Sequence, residues 1–250
     1  MTRPRGGYIG FNRVTSVSEA SGIWTLREAE QLRRDNLWPS TGDVYWSSVK
    51  LLMNMDGSGA SFSDHSSQAL AVTANGGVTQ STDQSKYGGK SAYFDGDDAY
   101  LTFGAANLSF GSGDFAFEMW IYPTTTQTSF LGDWRLSGNA GPAFYMINNI
   151  LNFFDGASNV ADSTAVANNA WTHVAAARSG STLKIYRAGS AVATLTTSAN
   201  MGGSGNLSVG FHNNTFFAGY IDDLRITIGS ARGYTGSTIT VPTSAFPAGS

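Results

Sequence analysis

"FAFEMWIYP", residues 115–123, decides how the rest of the chain is read. Phe115, Phe117, Met119 and Ile121 alternate with Ala116, Glu118, Trp120 and Tyr122. That period of two gives a strand with one wholly apolar face. Outward from it, similar short runs recur with turn residues between them. The clearest are Val49–Met55, Ala69–Thr73, Ser91–Phe94, Tyr100–Phe103, Ala143–Ile147, Trp171–Arg178, Thr182–Arg187, Asn206–Phe211 and Ala218–Ile228. Asn75-Gly76-Gly77, Gly111-Ser112-Gly113-Asp114 and Gly202-Gly203-Ser204-Gly205-Asn206 punctuate them. Asn148-Asn149 reads as a hairpin turn between Phe144–Ile147 and Leu151–Phe154. About twelve strands in some 200 residues predict an all-β, two-sheet antiparallel jelly-roll sandwich rather than an immunoglobulin domain.

The bulk numbers agree and exclude several functions. Only 13% of the 250 residues are charged and 30 are Gly, a balance that favours strands and turns over helices. A net charge of −3 offers no field to gather nucleic acid. With no cysteine, disulfides, thiolate metal sites and Cys nucleophiles are excluded. No apolar run is long enough for a membrane-spanning helix, and MTRPRGGYIGFNRV lacks the apolar stretch of a Sec signal.

Three parts are expected: 1–42 as arm and helix, 43–230 as the sandwich, and 231–250 as a C-terminal tail. Residues 1–40 hold six Arg and four acids, whereas the remainder is acidic. Pro39-Ser40-Thr41-Gly42-Asp43 marks the boundary. Thr25 and Glu28 form a T-x-x-E capping box, and Leu26, Ala29 and Leu32 follow on one stripe until Asn36 and Pro39 stop the helix. A helix this short is not stable alone in water, so it must dock. It lies across its own sandwich or anchors the chain to another. On the anchor reading Tyr8, Phe11, Trp24, Leu26, Leu32 and Trp38 make the contacts. The tail is either loose or runs back along the sandwich through Tyr234, Ile239, Val241 and Phe246.

Six segments, "LLMNMDGSGASFSDHSS", "SAYFDGDDAYLTF", "GDFAFEMWIYP", "NNAWTHVAAARSGSTLKIYRAGSAV", "LSVGF" and "FFAGYIDDLRI", occur in this order. Together they resemble the laminin-G-like, concanavalin A-like lectin/glucanase superfamily over roughly residues 45–230. The resemblance implies two antiparallel sheets with a rim of loops, and members that bind glycans, proteins or lipids or cleave glycosides. A second resemblance covers residues 6–39. "GGYIGFNRV", then "ASGIWTLREAEQLRR" and "WP", is similar to the N-terminal signature of structural proteins of tailed bacteriophages, particularly those of cyanobacteria and marine bacteria. It implies a virion protein made in the host cytoplasm, a tail fibre, adhesin or capsid decoration. Its implied partners are other virion proteins and host-surface polysaccharide, in a homo-oligomer with trimers favoured. The alternative is a soluble carbohydrate-binding module or glycosidase.

Candidate chemistry is sparse. A retaining glycosidase needs two carboxylates about 5–5.5 Å apart. Glu118 stands alone on its strand, and Asp97-Asp98 and Asp222-Asp223 are adjacent pairs expected on opposite faces. His65, His173 and His212 share no metal-like spacing, and no G-x-S-x-G or phosphate-binding loop occurs. No enzyme is expected. Asp95-Gly96-Asp97-Asp98 starts like a calcium loop, but Ala106 stands where an EF-hand needs Glu. The superfamily resemblance points a structural calcium at Asp56 and Asp222. Otherwise Asp56 and Asp95 initiate turns. For a glycan, aromatic residues beside Asn nominate Trp134, Arg135 and Asn139, and His212, Asn213 and Asn214, with "FYMINN" as a weaker third. The competing reading is that Asn makes the turns while the aromatics fill the core.

Overall fold

The computed structural model describes residues 42–103, 108–135, 141–202 and 207–249. The expected helix, all six anchor residues and Asn139 lie outside them. Tyr45–Ala248 forms one unit. It opens with a 3-10 turn, Trp46–Ser48, and the later elements among the described residues are strands.

The first sheet contains β1 (Val49–Met53), β3 (Thr79–Ser81), β4 (Ser91–Asp95), β6 (Phe115–Pro123), β11 (Thr172–Ser179), β12 (Thr182–Arg187), β13 (Ser190–Thr196) and β17 (Ala218–Ile228). Its order is β13-β12-β11-β6-β17-β4-β3, and β1 also pairs with β17. The second sheet contains β2 (Val72–Asn75), β5 (Tyr100–Phe103), β7 (Ser129–Asp133), β8 (Ala143–Ile147), β9 (Ile150–Phe154), β10 (Asn159–Ala165) and β14 (Ser208–Val209). Its order is β10-β9-β8-β7-β14-β5-β2. β15 (Phe211–His212) and β16 (Thr215–Phe216) form a small hairpin. All pairings are antiparallel, and the two-sheet sandwich predicted from the alternation in residues 115–123 is what the chain forms.

Local chemistry sets the hairpins. Asn148-Asn149, Ala188-Gly189 and Asn213-Asn214 all take positive φ, the paired left-handed conformation of a two-residue turn that follows the strand twist. Between the sheets the inward residues of β6 meet those of the second sheet. Phe117 packs edge-on against Trp134 at 5.3 Å and Phe144 at 5.9 Å, and Phe115 stacks on Phe110 at 3.9 Å.

The outer face of the first sheet is partly covered by the chain's own C-terminal segment. Residues 231–248, set apart as a tail by sequence, belong with the sandwich. Ala191 N–H donates to Ser237 O and Ile239 N–H to Gly189 O, both at 2.8 Å, and Tyr87 Oη donates to Pro242 O at 2.7 Å. Phe246 packs with Val49 and Leu52. The scattered apolar anchors hold an otherwise polar strap.

Under that strap sits Glu118, fully buried. Its Oε1 accepts from Arg225 Nε at 3.1 Å and Nη2 at 2.8 Å, and its Oε2 from Tyr234 Oη at 2.8 Å, with His173 Nε2 at 3.2 Å. Burial alone would raise this carboxyl. The Arg225 charge, with His173 and Arg232, instead holds it far below the usual range.

Candidate functional site

The outer face of the second sheet carries half-buried aromatic rings, with the buried Asn152 and the exposed Asn159 beside them. Their placement depends on a bulge in β7. Pairing with β8 shifts register between Phe130 and Gly132, so that Phe130 and Asp133 both face outward. Gly132 is needed there: a Cβ would lie 2.5 Å from a Phe117 ring carbon. Leu131 and Trp134 turn into the core.

Phe130 is therefore directly opposite Tyr145 of β8, and their rings stack at 5.3 Å with 18° between planes. Tyr145 Oη donates to Asn159 Oδ1 at 2.9 Å, Asn159 Nδ2 to Asn152 Oδ1 at 3.0 Å, and Asn152 Nδ2 to Ile150 O at 2.8 Å. This directed chain fixes the Tyr145 ring and leaves its hydroxyl oxygen as an acceptor. On the other side the His212 ring lies 4.7 Å from Phe130. Beyond it Phe211 and Phe216 gather around Tyr100, at 4.6 and 6.3 Å.

Charge in this region is internally compensated. Asp133 Oδ2 takes Arg135 Nε at 2.8 Å and also Nη2, while Oδ1 accepts the Arg135 N–H at 2.7 Å. The guanidinium stands 5.2 Å from the Phe130 ring and 6.0 Å from that of Phe154. His212 Nδ1 is 3.3 Å from Asp133 Oδ2. Burial, outweighing the pull of Asp133 and aided by Arg135, moves His212 below its ordinary pKa. Burial therefore favours the uncharged form of the ring beside Asp133.

Of the residues nominated for a ligand, Arg135 and His212 are brought together on Asp133. Trp134 is not among them. It is fully buried and its Nε1 donates to Leu108 O at 2.9 Å, so it is a core residue. Asn213 and Asn214 are the exposed turn of the β15–β16 hairpin, where their positive φ is their evident use. Asn149 is likewise a turn residue, buried, with its Oδ1 accepting from Gln127 N–H. Phe130, Tyr145, Asn152 and Asn159 form the row, and only Tyr145 had been marked. Phe130 carries no nearby polar motif, and its partner lies across a strand pair.

The acids do not make a calcium site of the kind expected. Asp222 is fully buried, with Oδ2 accepting from Lys86 N–H at 2.8 Å and Tyr87 N–H at 3.1 Å, and Oδ1 accepting from Asp223 N–H at 2.9 Å. Asp223 takes Asn54 Nδ2 at 2.9 Å and Phe246 N–H at 3.0 Å. Asp56 is exposed, its carboxylate against Gly88. Backbone and amide donors already surround the two buried acids, and among the described residues no three His, Asp or Glu converge as ligands. Asp56 and Asp222 therefore do not fit the metal, and Asp95 is a turn former accepting from the N–H groups of Asp97, Asp98 and Ala99. Burial pushes Asp222 and Asp223 each up to about 7, reinforced by neighbouring carboxylates. The pair was expected on opposite faces. A bulge between Asp222 and Arg225 instead leaves both between the inward Ile221 and Leu224, with their carboxylates turned to different partners.

Solved structures match this architecture. The binding domain of Paraclostridial mosquitocidal protein 1 superposes with a TM-score of 0.61 at 12% identity, over 75% of this chain and 50% of that one. A botulinum neurotoxin type C structure, whose cell entry depends on two ganglioside molecules, gives 0.57 at 15%, over 75% and 49%. Domain 4 of an extracellular arabinanase from Geobacillus stearothermophilus, in complex with arabinotriose, gives 0.56 at 18%, over 74% and 94%. The chain spans about half the length of the toxin domains it matches. No curated protein shows significant similarity to it in sequence. The family model of the concanavalin A-like lectin/glucanases superfamily, in its laminin-G form, matches residues 95–229. Joined to the sandwich and its strand order, that match covers more than half of the chain, which therefore belongs to this superfamily.

Proposed function

We propose that the chain is a non-catalytic glycan-binding module, and that an uncharged oligosaccharide lies on the outer face of the second sheet. The observation that carries this is the row Phe130–Tyr145, flanked by the Asn152–Asn159 amides and the compensated Asp133–Arg135–His212 group. Aromatic faces meet the C–H surfaces of sugars, while amides and hydroxyls bond their hydroxyl groups. A ligand without net charge suits a site whose own charges are matched. The lack of a role for Glu118 in chemistry fits the same reading, since Arg225, His173 and Tyr234 enclose it. Similar folds in the arabinanase domain and the neurotoxin lend the scaffold's capacity for sugars, not the ligand.

The test is retention of the chain in gels containing neutral polysaccharides. Phe130→Ala and Tyr145→Ala should each weaken binding roughly tenfold, the effect of losing about 1.4 kcal/mol of contact. A glycan bound equally well by both variants would remove the site.

The finer reading is display on a bacteriophage particle, as tail fibre, adhesin or capsid decoration, trimeric and facing host polysaccharide. It rests on the resemblance of residues 6–39. On that reading, deleting residues 1–40 abolishes incorporation into particles. A truncated chain that still assembles would sink it.

A further inference from the structure

The first sheet carries a second aromatic row, on its outer face beyond the C-terminal strap. Thr79 of β3 pairs with Tyr93 of β4, Tyr93 with Tyr220 of β17, and Tyr220 with Tyr122 of β6. These residues are direct cross-strand neighbours, so they stand on one face and line up across the strands. Trp171, just before β11, extends the line. Successive ring centroids are 5.1 Å apart for Tyr93–Tyr220, 5.8 Å for Tyr220–Tyr122 and 5.5 Å for Tyr122–Trp171. Strand spacing therefore sets one ring per strand.

Three features separate this row from ordinary sheet packing. Tyr93, Tyr122 and Trp171 are all half-exposed, and the strap contacts already described fall on Glu118, Tyr87, Gly189 and Asp223 instead. The Trp171 Nε1–H is buried without a hydrogen-bond partner, a donor that the protein leaves unmatched. Beside the row Gly219, at φ 144°, brings β17 against β6 so closely that a Cβ would sit 2.3 Å from Tyr122 O. The close approach keeps Tyr220 between its two neighbours. Burial raises the pKa of the Tyr220 hydroxyl and the charge of Asp83 raises it further, a negative neighbour that disfavours an anionic ligand there.

We infer that the row Tyr93–Tyr220–Tyr122–Trp171 is a second carbohydrate-binding site, taking a run of an uncharged, unbranched polysaccharide laid across the strands. The rings are tilted against one another, by 44° for Tyr93–Tyr220, 81° for Tyr220–Tyr122 and 58° for Tyr122–Trp171. Such a surface suits a single twisted chain better than the flat face of a crystalline bundle. The phenolic hydroxyls of the row supply the polar contacts. With one row on each sheet, a single module can hold two glycan chains.

The experiment compares the full chain with two paired variants, Phe130→Ala/Tyr145→Ala and Tyr93→Ala/Tyr122→Ala, against soluble neutral glucans, mannans and arabinans. Ring-labelled tyrosine spectra of the unaltered chain provide a readout independent of any variant's folding. The expected result is that the first pair leaves residual binding, that the second weakens retention at least fivefold, and that Tyr93 and Tyr122 signals shift on titration. Loss of all binding in the first pair, or unshifted Tyr93 and Tyr122 signals at saturation, overturns the second site while leaving the first. A wild-type chain that binds none of these glycans overturns both.

Discussion

Replacing Glu118 with Gln tests the account of the strap most directly. The carboxylate is fully buried and balances Arg225, whose side chain is only 5% exposed and bonds Oε1 through two nitrogens. Gln keeps the shape but removes the charge, and its NH2 must replace one acceptor oxygen. Tyr234 adapts, because its hydroxyl can accept as well as donate. Arg225 cannot, being a donor only, and it stays buried without the charge of Glu118, while that of Asp223 still acts on it. Breaking a buried pair in this way costs about 3–5 kcal/mol, which for a domain of this size lowers Tm by roughly 6–20 °C. Tyr234→Phe removes one hydrogen bond to a charged group and should cost about 1.5–3 kcal/mol. Thermal and denaturant unfolding followed by circular dichroism measure both. If E118Q lost less than about 1 kcal/mol, Arg225 would be neutralised by something other than Glu118, and the reasoning would fail. Sugar retention by the second sheet should be unchanged in both variants at temperatures where they stay folded.

Gly132→Ala forces a Cβ into the Phe117 ring, so it should destabilise the chain by about 1–3 kcal/mol and weaken glycan binding by displacing Phe130; wild-type binding would deny the bulge its role. Trp134→Ala should cost about 3–5 kcal/mol, the penalty for emptying a buried aromatic site, measured by urea unfolding; a value under 1 kcal/mol would return Trp134 to the surface. Asp222 and Asp223 are raised to about 7, so the folded state holds protons that the unfolded state releases near the ordinary carboxylate range. Their contribution is fully present below that range and is lost as pH rises through about 7. Unfolding free energy should therefore fall between pH 5 and pH 8, and Asp223→Asn should flatten the fall; a curve rising over that interval would contradict the assignment.

The sandwich was readable because its central strands alternate cleanly, as residues 115–123 do, and because Asn148-Asn149 and Asn213-Asn214 are local turn chemistry. The site was less so. Trp134 was assigned outward because it sits near Gly and Asn, but the bulge at Leu131–Gly132 changes which residues face in. A bulge depends on the partner strand and leaves no trace in one strand's period. The tyrosine row was hidden for a related reason. Tyr93, Tyr122 and Tyr220 are far apart in sequence and meet only once the β4–β17–β6 register is set. The C-terminal strap was left open between two readings because its anchors follow neither period. They are spaced by the surface they cross.

β17 pairs with β6 along nearly its whole length, and its other edge serves β4 with Ala218–Ile221 and β1 with Leu224–Thr227. Among the described strands, β1 has no other sheet neighbour, and β4 has only the three-residue β3 besides. The earliest strands of the sheet therefore wait for nearly the last to be synthesised. While the ribosome is still working through the middle of the chain, the apolar faces of β1, β4 and β6 stand without the member that joins them. Such long-range closure makes folding slow and places the risk of aggregation during synthesis rather than after it.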